Sequence, residues 1–125
     1  MAVPHELQAI ADRLNADNAR YEARVSALQR EAYNAACELA TRMGREDPTL
    51  RKVMLFGSTL PGRRYTDNSD IDLAVEGGDR ALLERIASEI TQSVDIIGLE
   101  ELRPGILEWV LKEGVCLYEA KPKRY

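Results

Sequence analysis

Histidine, tryptophan and phenylalanine occur once each in this 125-residue chain and cysteine only twice, so the usual ligands of transition metals are nearly missing. His5 stands at the extreme N-terminus, and Cys37 and Cys116 are far apart, so no zinc-ligand spacing can be assembled. The two cysteines read instead as small buried apolar residues. No apolar run approaches the roughly eighteen residues needed to cross a bilayer. Met1 to Leu7 also lacks the basic then apolar pattern of a signal peptide, so a cytoplasmic protein without a membrane partner is expected. The net charge is -4, and no basic, aromatic-lined groove is evident, which argues against direct nucleic-acid binding and polymerase activity. Basic residues cluster only locally, at Arg63-Arg64 and at Lys121, Lys123 and Arg124.

What is present fits one soluble domain with an extension, at 45% apolar and 30% charged residues. Proline and glycine are absent from His5 to Met43, and apolar residues recur at Leu7, Leu14, Tyr21, Leu28 and Ala35, flanked by Val25, Ala32 and Leu39. That spacing predicts a helix with a seam close to the coiled-coil repeat, although Asp17 and Arg24 interrupt the second apolar series that starts at Ile10. Asn15-Ala16-Asp17-Asn18 offers a place for the helix to break or restart. Two readings stand: a long amphipathic helix packed on its own domain, or a surface for a partner or a second copy. The division expected is 1–47 as a helical extension, 48–120 as the main domain and 121–125 as a basic tail.

Gly44 is expected to end the helix and Asp47-Pro48 to turn the chain. Val53 to Phe56 reads as a buried strand running into a turn at Gly57-Ser58 that opens a helix. Asp70 to Val75 alternates carboxylate and apolar residues, placing Ile71, Leu73 and Val75 on the core and Asp70 and Asp72 on the other face. Asp79 caps a helix bearing Leu82, Leu83, Ile86 and Ile90. A strand at Val94 to Ile97 carries Asp95, and Arg103-Pro104-Gly105 opens a helix with Ile106, Leu107, Val110 and Leu111. Gly114 ends that helix before a last strand, Val115 to Tyr118, and Trp109 and Tyr118 read as core. The order β, β, α, β, α, β predicts an α+β fold with a mixed sheet and helices packed on it.

The chemistry lies in the central segment. Two carboxylates one residue apart on a strand project in parallel, so Asp70 and Asp72 can share a pair of Mg²⁺ ions, as nucleotidyl transfer requires. Asp95 joins them if its strand lies alongside, as a further metal ligand or as acceptor of a hydroxyl proton. Gly57 lets the backbone approach phosphate, and Ser58 offers an amide and a hydroxyl. Lys52, Arg63 and Arg64 are candidates for the outer phosphates. Taken alone, Gly57-Ser58 is an ordinary capped turn, and Arg63-Arg64 an ordinary solvated loop. Asp70-Ile71-Asp72 is harder to explain without a cation, because aspartate is disfavoured in strands and like charges on one face repel.

Leu55-Phe56-Gly57-Ser58, with Gly62, then Ser69 to Val75 and later Val94-Asp95-Ile96, resembles the minimal nucleotidyltransferases of the DNA polymerase β-like superfamily over about Arg51 to Tyr118. The resemblance implies a polymerase β-like fold, Mg²⁺ and a nucleoside triphosphate, usually ATP. It implies that Gly57 and Ser58 bind phosphate and that Asp70, Asp72 and Asp95 are the acidic trio. This chain departs from the family in an eleven-residue spacer between Ser58 and Asp70, where ten is usual, and in Pro61, where arginine often precedes Gly62. Small stand-alone members resemble antitoxins that transfer AMP to a tyrosine of a HEPN ribonuclease toxin. The expected function is therefore AMP transfer from ATP to a protein hydroxyl, with a HEPN-type partner. The competing reading is a binding module that silences its partner by covering it, with little turnover.

Overall fold

The computed structural model describes residues 4–122, so Lys123 and Arg124 of the basic tail lie outside the described residues. A single helix, α1, runs from His5 to Glu46, 42 residues or about 63 Å at 1.5 Å per residue. It does not break at Asn15 to Asn18. It also passes through Gly44, contrary to expectation, and ends where Asp47 turns extended and its N–H bonds Met43 O at 2.9 Å. Glycine serves there as a close approach, because a Cβ at Gly44 would run into the ring of Tyr118.

Four strands follow: β1 (Leu50–Phe56), β2 (Ile71–Gly77), β3 (Val94–Gly98) and β4 (Val115–Glu119), with α2 (Arg80–Ala87) and α3 (Pro104–Glu113) between them. They form one sheet in the order β3-β2-β1-β4, with β1 antiparallel to β2 and β4, and β2 parallel to β3. This is the predicted mixed sheet, and the parallel pair is joined across α2, as such a connection requires. Asp79 caps α2 as predicted, its carboxylate accepting from the Ala81 and Leu82 N–H groups.

The two faces of the sheet are covered unequally. One packs Val53, Leu55, Ile71, Leu73 and Val75 against α1, from Ala32 to Met43, and against Leu83 and Ile86 of α2. Each large aliphatic side chain removed from water there contributes roughly 1.5–3 kcal/mol. On the other face a smaller cluster of Met54, Ala74, Leu99 and Val110 sits under α3. A helix lying on a sheet buries one stripe, here Leu107 and Val110, which leaves Ile106, Trp109 and Leu111 exposed. Trp109, read from sequence as core, is 41% exposed. The cysteines also depart from expectation: Cys116 is exposed on β4, and Cys37 is half-buried.

The N-terminal part of α1 projects from this body. Every residue from Pro4 to Arg24 is exposed, including Leu7, Ile10, Leu14 and Tyr21, so the apolar seam divides into a packed half and an uncovered half. No helix among the described residues is long and apolar enough to cross a membrane.

Candidate active site

β1 delivers the chain to Gly57, whose φ of +82° and lack of a side chain both answer to local geometry. A Cβ there would collide with Asp72 Oδ2. The helix expected to begin at this turn is only a three-residue 3-10 turn, Gly57–Thr59. After Leu60 the chain enters a loop through Pro61 and Gly62, the latter at a φ of +81° outside the helical region. Thr59, fully buried, ties the turn to the next strand by donating its hydroxyl to Asp70 O at 3.2 Å.

The strand register brings the acidic residues together. Phe56 pairs with Asp72 across the antiparallel β1–β2 ladder, and Asp72 pairs with Asp95 across the parallel β2–β3 ladder. Paired residues share a face, so Asp72 and Asp95 lie side by side at the rim of the patch under α3, and Asp70, two residues back, leads into the same edge. Ile71 N bonds Ser93 O at 2.8 Å, which fixes the start of this register. The electrostatics agree: burial, then the charges of Asp95 and Asp70, push the Asp72 carboxyl up to about 6.

Among the described residues no cation pairs with this carboxylate, and its hard oxygen donors are of the kind Mg²⁺ takes. Among the described residues no three acidic, histidine or cysteine side chains close around a single ion. The three carboxylates lie along an open edge and do not form a closed protein cage; oxygen donors of this kind are the type that Mg²⁺ takes alongside phosphate and water.

The basic candidates divide. Lys52 pairs with Glu76 and Glu119, four residues along the sheet from the Phe56–Asp72 pair, roughly 13 Å at 3.3 Å per residue, so it is not at this site. Arg63 reaches α3 instead, its guanidinium 5.4 Å from the Trp109 ring centre and 3.9 Å from the Glu113 carboxylate. Arg64 stands exposed on the same loop.

Two residues near the site were missed from sequence. Gln29 on α1 donates to the carbonyls of Ser58, Leu60 and Arg63 at 2.9, 2.8 and 3.2 Å. Arg80 on α2 donates to Ile96 O at 3.2 Å, beside Asp95, and pairs with Glu101 at 2.9 Å. Neither has a local signal, because both act across long sequence separations on backbone oxygens that only the fold presents.

A family model described as polymerase beta, nucleotidyltransferase matches residues 39–123. No curated protein matches the chain. Among solved structures, a mutant of the toxin-antitoxin MntA-HpeT is 26% identical with a TM-score of 0.52, covering 70% of this chain and 73% of that one. A toxin-antitoxin structure with AMP-PNP is 28% identical with a TM-score of 0.55, covering 68% and 74%. The family match takes in the sheet, the glycine-serine turn and all three carboxylates, and the chain belongs to the polymerase beta nucleotidyltransferase family, in which it is similar to minimal members of toxin-antitoxin pairs.

Proposed function

We propose that this protein is a Mg²⁺-dependent adenylyltransferase that moves AMP from ATP to a hydroxyl of a HEPN-type toxin, and so acts as its antitoxin. The observation that carries this is the Asp72–Asp95 register, with Asp70 on the same edge and Gly57 packed against the Asp72 carboxylate. The likeness to toxin-antitoxin structures, one holding AMP-PNP, supports the partner and the nucleotide.

In this reading the Gly57-Ser58 turn receives the triphosphate, with no Cβ at Gly57 to hold it off. Asp70 and Asp72 hold the metal, which when bound neutralises charge gathering at the α-phosphorus and the departing pyrophosphate. Asp95, the most open of the three, takes the proton of the attacking hydroxyl. A new bond joins that oxygen to the α-phosphorus as the bond to the β-phosphate oxygen breaks, and pyrophosphate leaves. Arg64 is free to meet the outer phosphates, and Arg63 joins it on leaving Trp109.

The uncovered seam of the projecting helix is a surface for the toxin or for a second copy of this chain, and sedimentation of the protein alone and with its partner separates the two. The central test mixes the purified protein with Mg²⁺, α-labelled ATP and the product of the adjacent gene. Label on that product, lost in Asp72→Asn, is the expected result. Neutralisation of the toxin without label would instead establish silencing by occlusion.

A further inference from the structure

We propose that Gln29 is a positioning residue for the nucleotide, holding the phosphate-binding turn from the far side of the sheet. The proposal rests on Gly57-Ser58 being the triphosphate cradle. A single side-chain nitrogen lies 2.9 Å from Ser58 O, 2.8 Å from Leu60 O and 3.2 Å from Arg63 O. All three neighbours are acceptors, so the atom facing them must be the amide NH₂, and its two protons are shared over three carbonyls.

Besides Gln29, the loop is held by the Thr59 hydroxyl on Asp70 O at 3.2 Å and, at its far end, by Arg63 on Trp109 and Glu113. Its own backbone bonds are few, Leu60 N to Gly57 O, long at 3.3 Å, and Arg63 N to Leu60 O at 3.1 Å, and Pro61 to Arg64 are exposed. A peptide unit is planar and trans, so turning the Ser58 carbonyl toward α1 turns the next N–H, that of Thr59, the opposite way. α1 packs on the face opposite Asp72. Gln29 thereby fixes the Ser58–Thr59 peptide, and with it the placement of Ser58 in the turn, before any ligand binds. Preorganised donors spare a ligand the free energy of ordering the loop, so the effect belongs in nucleotide affinity more than in the chemical step.

The test compares Gln29→Glu and Gln29→Lys, two replacements of similar length with opposite hydrogen-bonding character. Calorimetric titration with AMP-PNP and Mg²⁺ should show about tenfold weaker binding for Gln29→Glu, which presents acceptors to acceptors, and recovery to within about threefold for Gln29→Lys, which restores donors. In turnover assays KM for ATP should rise in Gln29→Glu while kcat at saturating ATP changes less. Hydrogen exchange is the second readout: amides of 58–64 should exchange faster in Gln29→Glu while β1 and β2 stay protected. Equal loss in both variants, or equal loosening of β1 and β2, would show a packing role and overturn the proposal. Wild-type protein that binds AMP-PNP alongside a Gln29→Glu variant that binds it as well also overturns it, leaving the adenylyltransferase reading intact. A wild type that binds no nucleotide sinks both.

Discussion

Asp72 shows most directly how the fold loads this site with unbalanced charge. Its carboxyl is raised from 3.8 to about 6 by burial and by Asp95 and Asp70, so the folded state favours the protonated form. The group's support for folding is full below its unfolded value near 3.8 and drains away as pH rises through about 6; above that, its charge opposes folding. Without divalent cation, Asp72→Asn is therefore expected to unfold at a higher temperature than wild type at pH 8, with the difference closing near pH 4. Solvent screening of this partly exposed group holds the gain to no more than about 1 kcal/mol. Thermal melts at the two pH values check this, and a lower midpoint for the variant at pH 8 would contradict the electrostatic account. Transfer activity should be lost in both Asp70→Asn and Asp72→Asn. Adding Mg²⁺ should raise the wild-type midpoint more than that of either variant. Gly57→Ala should also lose activity, since alanine at a φ of +82° is strained by about 1–3 kcal/mol and its methyl displaces the Asp72 carboxylate.

At the scale of elements, the join between α1, β1 and α2 depends on one buried carboxylate. Asp47 accepts from Thr49 N at 3.0 Å, Thr49 Oγ1 at 2.6 Å and Asp79 N at 2.7 Å. Burial pushes its carboxyl up, but these hydrogen bonds outweigh that and hold it below the ordinary aspartate range. A depressed carboxyl supports the fold above its unfolded value and loses that support as pH falls through its folded one. Asp47→Ala removes the acceptor from the part-buried N–H groups of Thr49 and Asp79 and should destabilise the protein by about 1–3 kcal/mol at pH 7, measured by urea denaturation. The deficit should shrink in acid. Legibility is uneven at this scale. The Asp79 cap and all four strands were readable because each has a local cause: a cap side chain, an apolar run or an alternation. Gly44 was misread as a helix end because its real role, making room for Tyr118 some seventy residues later, is not local.

For the whole molecule, the chief feature is a helix that belongs to the body for part of its length and projects for the rest. Residues 4–24 are all exposed and reach the domain through the exposed Arg24–Asp67 ion pair at 3.3 Å, a contact of little worth, so a chain beginning at residue 25 should melt within about 0.5 kcal/mol of the intact protein. A larger loss would mean that the arm is covered in solution by a second copy, which sedimentation would confirm. The same truncation tests partner binding: if the arm grips the toxin, affinity falls while AMP-PNP binding is unchanged.

The amino-acid order alone determined the succession of strands and helices, the facing of Asp70 and Asp72, and the glycine-serine turn, because each depends on period, propensity or conformational freedom within a few residues. Asp95 was legible only as a candidate; the parallel pairing of β2 with β3 set it beside Asp72, and no local rule dictates which strands become neighbours. Tertiary structure alone decided that Lys52 lies away from the site, that Arg63 rests on an exposed Trp109, and that Gln29 holds the turn from behind. Those outcomes rest on contacts between residues distant in sequence, whose geometry exists only once the sheet and α1 have packed.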